Sequence, residues 1–103
     1  MEKRKKMTKR EDNFREFATI VGDHISNYTV PQYGDAPNDQ IEQWDRDQCM
    51  DSIKRYCNRF ATNRRGRTET LRDMAKIAHL ASIIFEKLNP TEDEVDAIRE
   101  GRV

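Results

Sequence analysis

The stretch CMDSIKRYCNRFATNRRGRTETLRDMAKIAHLASIIFEKL, residues 49–88, holds two runs of apolar residues at helical spacing, joined by a short basic turn. Apolar residues recur every three or four positions in the first run, which predicts a helix over residues 45–62 with Asp45 as its N-cap. The second run predicts a helix over residues 68–88 that is capped by Thr68. This helix pair predicts a helical fold for the chain as a whole.

The two predicted helices differ in how much of their surface is apolar. The first helix is expected to bury one stripe of residues, made of Cys49, Ile53, Tyr56, Cys57 and Phe60. Met50 lies beside this stripe. Its polar face is expected to hold Gln48, Asp51, Ser52, Arg55, Asn58 and Arg59. From Ile77 onward the second helix is apolar on most sides, which in so short a chain favours a face shared with another subunit over a central position. We expect this oligomer face at Ile77, Leu80, Ile83 and Ile84.

Shorter elements flank this pair. Upstream, apolar residues at helical spacing predict a helix over residues 8–27, with Thr8 as its N-cap. Residues 28–44 contain two prolines and a Gly-Asp pair, so we expect a long ordered loop there. Downstream, Asn89-Pro90 ends the long helix, and a Thr-x-x-Glu capping box at residues 91–94 begins a short last one. The sequence therefore predicts an all-α fold, a small bundle of three main helices plus a short C-terminal helix, with a long ordered loop between helices 1 and 2.

Length and composition restrict the class of protein. The 103 residues suit one domain, expected over residues 8–103 after a flexible basic tail at residues 1–7. Only 35% of the residues are apolar and 37% are charged, so the core must be thin, and self-association would extend it. The longest uncharged apolar-rich run, residues 77–85, is far shorter than the roughly 20 residues that a membrane helix needs. No apolar stretch follows the basic start, so we expect no secretory signal, and two cysteines favour a reducing cytoplasm.

Charge is segregated along the chain although its formal sum is zero. Residues 54–67 hold six basic residues and no acid, whereas residues 35–51 hold six acids against Arg46 alone. Such separation favours an electrostatic function or head-to-tail pairing of subunits. The alternative is that the two segments simply neutralise each other within one monomer.

The basic segment, residues 54–67, is a candidate anion site. Arginine presents its N–H groups in a rigid fork that suits phosphate, and the N-terminus of the helix that follows the basic turn also favours anions. The same residues would also make an ordinary solvated turn. The predicted phosphate ligands are Lys54, Arg55, Arg59, Arg64, Arg65 and Arg67. Tyr33 and Trp44 are candidates for stacking on a base, although core packing is the commoner use of such rings.

Catalytic and metal-binding patterns are weak. Neither His24 nor His79 has the partners of a catalytic triad, and an isolated histidine more often makes one structural hydrogen bond. A zinc site would need both histidines and both cysteines, which lack a close ligand pair such as CxxC. Glu69 and Asp73 lie one turn apart among basic residues, too few acids for the Mg²⁺ of an all-α nucleotide pyrophosphohydrolase. We therefore expect no catalytic residue, metal or cofactor, and we favour a binding protein over an enzyme.

A pattern across both central helices carries a family resemblance through Ile53, Lys54, Tyr56 and Arg59, followed by Leu71, Asp73, Lys76, Ala78 and Leu88. It resembles a small uncharacterised domain family of tailed phages, the SaV-like family, in which an IKYxxR-like helix is joined by a short basic turn to an eDLxKAxxYLxxL-like helix. A copy of that domain is attached to a phage nucleotide kinase. The resemblance therefore implies a virus-encoded protein in the host cytoplasm with nucleotide-related biology. The chain departs from the pattern at Leu80, where the family favours an aromatic residue, and in its long loop.

Three functions of different classes follow from these features. The leading one is a non-catalytic phage-type accessory protein that oligomerises and binds the phosphate of a nucleotide or nucleic acid through the basic segment. The second is a virus-encoded inhibitor of a host defence or metabolic protein, with the acidic residues 35–51 mimicking nucleic acid. The third is an all-α nucleotide-processing enzyme. A DNA-binding helix-turn-helix ranks below these, because the turn is long and the net charge is zero. The expected partners are a second copy of the chain, a nucleotide or nucleic acid, or a host protein, and no membrane.

Overall fold

The computed structural model describes residues 7–35, 43–62 and 64–103. Five α-helices follow one another as α1 (Lys9–His24), α2 (Val30–Tyr33), α3 (Arg46–Arg59), α4 (Arg67–Lys87) and α5 (Glu92–Arg99). A π-helical turn, Ile25–Thr29, joins α1 to α2. No strand occurs within the described ranges, and α1, α3 and α4 are the three main helices with α5 as the short last one. The predicted all-α fold is therefore confirmed.

Three of the predicted N-caps are present. At the start of α1, the Thr8 hydroxyl accepts the backbone N–H of Glu11 at 3.2 Å. At the start of α3, the Asp45 carboxylate accepts the backbone N–H of Gln48 at 2.8 Å, while the Gln48 side chain accepts the N–H of Asp45 at 2.8 Å. The same reciprocal pair opens α5 at residues 91–94. These caps satisfy backbone N–H groups that have no partner within the helix, so they fix where each helix begins.

The start of α4 differs from the prediction. Gly66 is its N-cap, and Thr68, the expected cap, is the second residue of the helix. Gly66 has a φ of 96°, a conformation open to glycine but costly for residues with a side chain. The helix α4 therefore begins at Arg67, directly after Gly66, and no side chain caps its first turn.

The first helix extends beyond its predicted end, because residues 28–33 are helical and not part of a loop. The π-helical turn explains how it passes Pro31. The N–H of Val30 bonds to the carbonyl of Ile25, five residues back, so Pro31 falls in the first turn of α2, where no N–H is needed. Gly34, with a φ of 101°, then ends α2. Residues 36–42 of the predicted loop lie outside the described residues.

The other helix ends lie close to their predicted positions. The last residue of α3 is Arg59, three residues before the expected end, and a turn through Phe60 follows. Asn89, with a φ of 53°, and Pro90 stop α4 as predicted, because neither residue continues an α-helix there.

The core is small and lies where α4 meets α3 on one side and α1 on the other. The buried apolar residues of the described ranges are Val21, Cys49, Ala75 and Leu80. Leu80 differs from the prediction. The sequence predicts it on an oligomer face, whereas the structure buries it in the core of the monomer. The rest of the predicted face, Ile77, Ile83 and Ile84, is half-buried.

The buried face of α3 is also turned relative to the prediction. Ser52, expected on the polar face, is buried, whereas Cys57 and Phe60, expected in the core, are exposed. The Ser52 hydroxyl accepts an N–H from Arg55 at 2.9 Å, so its burial leaves no unsatisfied oxygen. Arg59 lies two helical turns after Ser52 on the same side of α3. The rotation of α3 that buries Ser52 therefore also directs Arg59 toward α4.

The described helices carry no membrane span, since none of them is long and apolar enough to cross a bilayer. Residues 1–6 of the predicted basic tail lie outside the described residues, and Met7 is exposed.

Candidate anion-binding segment

The corner between α3 and α4 is fixed by a bidentate ion pair. Arg59 donates from Nε to Asp73 Oδ2 at 2.7 Å and from Nη2 to Asp73 Oδ1 at 2.5 Å. Asp73 is 1% exposed, and the Tyr56 ring lies under the guanidinium, 4.8 Å from its carbon to the ring centroid. The hydrogen bonds from Arg59 hold the pKa of Asp73 below its usual value, although burial acts in the opposite direction. Arg59 is therefore engaged within the fold at the place where we predicted a phosphate ligand.

The other five predicted ligands are exposed. Arg55 donates to Ser52 on its own helix, and Lys54 precedes it on the outer side of α3. The remaining three arginines flank the glycine that opens α4, at positions 64, 65 and 67. The structure thus brings the predicted residues into two groups, one along α3 and one around the turn, with the half-buried Arg59 between them.

A second ion pair engages Glu69, the acidic residue that lies closest in sequence after the basic turn. Glu69, in the first turn of α4, accepts a hydrogen bond from Arg72. That hydrogen bond, assisted by the positive charge of Arg65, lowers the pKa of Glu69, against the opposing effect of burial. Glu69 stays ionised and satisfied by Arg72.

The same two pairs bear on the metal-dependent enzyme considered from the sequence. Glu69 and Asp73 are the acids that would hold Mg²⁺, and each is bound to an arginine of its own. Within the described ranges, no group of three or more side chains is arranged to ligate a metal. Asp73 therefore supplies a contact between α3 and α4, and Glu69 supplies an ion pair within α4.

An aromatic and cationic cluster fills the space between the π-helical turn, α3 and α4. The Lys76 ammonium lies 5.2 Å from the Tyr28 ring centroid and 5.6 Å from that of Tyr56. Burial, and then repulsion from Arg72, lowers the pKa of Lys76. Two rings around one half-buried ammonium hold these elements together by cation–π attraction. Hydropathy does not predict this cluster, because its members come from three separate elements of the chain.

His24 lies at the edge of the same cluster. Its ring stacks on Tyr28 with centroids 5.1 Å apart, and its Nε2 is buried with no hydrogen-bond partner in the part of the chain that the structure describes. Burial lowers the pKa of His24, and Lys76 and Arg72 lower it further by repulsion. A neutral imidazole suits this position, because a proton here would face two cations.

Tyr33 and Trp44, the predicted stacking residues, meet at a small cavity beside this cluster. The cavity has a volume of about 50 Å³ and is lined by Tyr28, Thr29, Tyr33, Trp44, Tyr56, Lys76, His79 and Leu80. Ligand sites usually enclose about 300 Å³ or more, so this space does not admit a nucleobase. In this conformation the two rings pack against the protein.

Comparison of the chain with protein-family models, curated protein sequences and solved structures found no match. Four of the nine residues on which the predicted resemblance depends contact one another across the helix pair, since Arg59 binds Asp73 and the Lys76 ammonium lies over the Tyr56 ring. These four residues hold α3 against α4.

Proposed function

We propose that the chain is a non-catalytic binding protein whose basic segment, residues 54–67, binds the phosphate groups of a nucleotide or nucleic acid. The observation that carries the proposal is the exposure of five cationic side chains on this segment, while the nearby carboxylates Glu69 and Asp73 are taken up by arginines of their own. Exposed guanidinium groups that can approach an anion from different directions favour phosphate over a single carboxylate.

The ligands in this proposal are Lys54, Arg55, Arg64, Arg65 and Arg67. Arg59 has a different part, because both of its hydrogen bonds go to the buried Asp73. It acts as a positioning residue that fixes the end of α3 beside the start of α4. The two groups of cations are thereby held at a constant separation, which reduces the entropy cost of binding a rigid anion.

The phage-family resemblance supports a nucleotide-related setting for such a protein, since that domain is attached to a nucleotide kinase in one of its occurrences. In this setting the chain would act as an accessory protein in an infected cell. It would hold a nucleotide or nucleic acid without changing it chemically.

The proposal is tested by measuring the binding of a fluorescently labelled single-stranded oligonucleotide, and of ATP, to the full chain at several salt concentrations. The test variant replaces three arginines by alanine, R64A/R65A/R67A. The matched control, K9A/R10A/R99A, removes the same charge at exposed positions elsewhere. We expect the test variant to bind at least tenfold more weakly, and the slope of log K against log salt to fall by roughly 2, about 0.7 for each lost phosphate contact on a single strand.

Equal weakening in the two variants would mean that only overall charge matters and would overturn the assignment of the site. Absence of binding by the wild-type chain at low salt would overturn the function itself. Helix content measured by circular dichroism confirms that each variant is folded before binding is compared.

A further inference from the structure

One long side of α4 is apolar and uncovered. We call this side the α4 stripe. Its residues are spaced alternately three and four positions apart, and they are Leu71, Met74, Ala78, Ala81, Phe85 and Leu88. Leu71 is 56% exposed, Phe85 45% and Leu88 55%. This spacing is the heptad pattern by which one helix packs along another. From Leu71 to Leu88 the stripe covers 17 residue steps, about 26 Å at about 1.5 Å per step.

The other sides of α4 are already in use. Asp73 and Leu80 face α3 and the aromatic cluster, whereas His79 and Ser82 border a cavity of about 230 Å³ against α1. The half-buried Ala78 lies at the edge between this cavity and the stripe. The exposed ring of Phe14, on α1, lines the same cavity and lies next to the stripe. No described element of the chain packs over the large side chains at the two ends of the stripe, so an external helix has room to lie along it.

We propose that the stripe is the interface of a homodimer, in which α4 pairs with the α4 of a second copy in antiparallel orientation about a two-fold axis. The side-chain sizes are symmetric about the point midway between Ala78 and Ala81. In antiparallel register, Leu71 lies opposite the partner's Leu88, Met74 opposite the partner's Phe85, and Ala78 opposite the partner's Ala81. Small residues at the centre let the two helices approach closely, and large ones close both ends, as a self-complementary two-fold contact requires.

Charge complementarity supports the antiparallel orientation. The exposed arginines at positions 64, 65 and 67 precede the N-terminal end of α4, and the exposed acids Glu92, Asp93 and Glu94 follow its C-terminal end. Antiparallel pairing brings the basic end of each copy beside the acidic end of the other. Parallel pairing would place arginine beside arginine at one end and acid beside acid at the other, which is repulsive. The helix dipoles of the two α4 helices also oppose each other only in the antiparallel arrangement.

The exposed apolar area is of the size that a stable dimer needs. The exposed parts of Leu71, Phe85, Leu88 and Phe14 amount to roughly 400 Å² per protomer, on a scale of about 150–250 Å² for a large side chain. A standard interface buries about 800 Å² per partner, of which about 450–500 Å² is apolar. The half-buried Met74 and Ile77 on the same side supply the remainder.

The dimer does not rest on the proposed phosphate binding, although both use the arginines around Gly66. A bound polyanion and the partner's acidic helix would therefore compete for the same side chains.

The first experiment measures the mass of the full chain by light scattering and sedimentation from 5 to about 500 µM. The expected mass is twice the 12.2 kDa of one chain. A81E places a charge at the centre of the interface, and its control, I98E, places the same charge on an exposed apolar residue of α5. We expect A81E to dissociate at least tenfold more readily and I98E to remain dimeric. A wild-type monomer over the whole range, or an unaffected A81E dimer, would overturn the proposal.

Cysteine cross-linking tests the orientation in a background in which the exposed Cys57 is replaced by serine. In antiparallel register, a chain with both M74C and F85C forms a disulfide-linked dimer, because each new cysteine lies opposite the other one of the partner. Either single variant stays unlinked, since its two copies lie about 16 Å apart, well beyond the about 7 Å between Cα atoms that a disulfide tolerates. Efficient linking of each single variant would overturn the antiparallel arrangement.

Discussion

The buried ion pair between Arg59 and Asp73 should dominate the stability of the helix pair. The replacement D73N keeps the shape of the side chain, removes its charge and places an amide N–H₂ where one oxygen accepted a hydrogen bond. Removing one partner of a fully buried pair costs about 3–5 kcal/mol. Here the Asp73 side chain is 2% exposed but that of Arg59 is 36% exposed, so the guanidinium can recover part of its hydration. We therefore expect a loss of about 2–3 kcal/mol in the free energy of unfolding.

That loss is a large part of the total free energy of unfolding. At about 0.05–0.15 kcal/mol per residue, a chain of this length is stable by about 5–15 kcal/mol. The assay is urea unfolding followed by circular dichroism, in which D73N should lower the midpoint by roughly 1–2 M. The control is E11Q, which breaks the exposed pair of Arg15 and Glu11 on α1 and should cost at most about 0.5 kcal/mol.

Two further outcomes separate the ion pair from simple packing. The double variant R59M/D73L, which fills the same space with apolar groups, should be more stable than D73N alone, because no charge is left unpaired. The hydrogen bonds from Arg59 lower the pKa of Asp73, so their stabilisation is complete above about pH 4 and is lost as the pH falls through the lowered native value. D73N should remove that acid dependence. A cost for D73N no greater than that of E11Q would refute the reasoning.

Four other predictions concern single positions. Because the pKa of His24 is lowered, the native state resists protonation there, so stability should fall as the pH drops below about 6.5, and H24Q should flatten the unfolding midpoint between pH 7 and 5. G22A should raise stability by about 0.5–1 kcal/mol, since an added methyl group meets nothing within 4 Å in the helix interior. G66A should lower stability by about 1–3 kcal/mol because of the φ of 96°, and equal effects at the two glycines in thermal unfolding would contradict this account. D45A should cost about 1 kcal/mol by removing the N-cap of α3, whereas D45N, which retains the acceptor, should cost little in the same assay.

Helix positions were largely predictable because the signals that set them act over a few residues. The N-cap of α3 at Asp45 and the capping box of α5 at residues 91–94 each lie within four residues of the groups they satisfy. Proline ordinarily ends a helix, so Pro31 predicts a loop at a place where the structure continues as a helix. The single extra residue of a π-helical turn, which lets the helix continue, leaves no pattern of its own in the sequence.

The contacts between helices were not predictable from hydropathy. The spacing of apolar residues in α3 predicts that Arg59 and Ser52 face solvent. In the structure Arg59 binds a buried carboxylate, and Ser52 is buried itself. The partner of Arg59 comes from another helix, since Asp73 lies 14 residues away in the sequence, so the pattern of α3 alone does not reveal it. The basic segment was predictable as a run of charge, but its division into five exposed cationic side chains and one structural arginine depends on the fold.

The π-helical turn makes chain length itself a determinant of side-chain direction. Each residue of an α-helix advances the direction of the side chain by about 100°. Deleting the exposed Ser26 would convert Ile25–Thr29 to an ordinary α-helical turn and rotate everything after it by about that angle. Tyr33 would then turn away from Trp44 and the cavity they share, with no change in either ring. The extra residue thus works as a fixed angular offset between α1 and α2, and it sets the direction from which Tyr33 reaches the aromatic cluster.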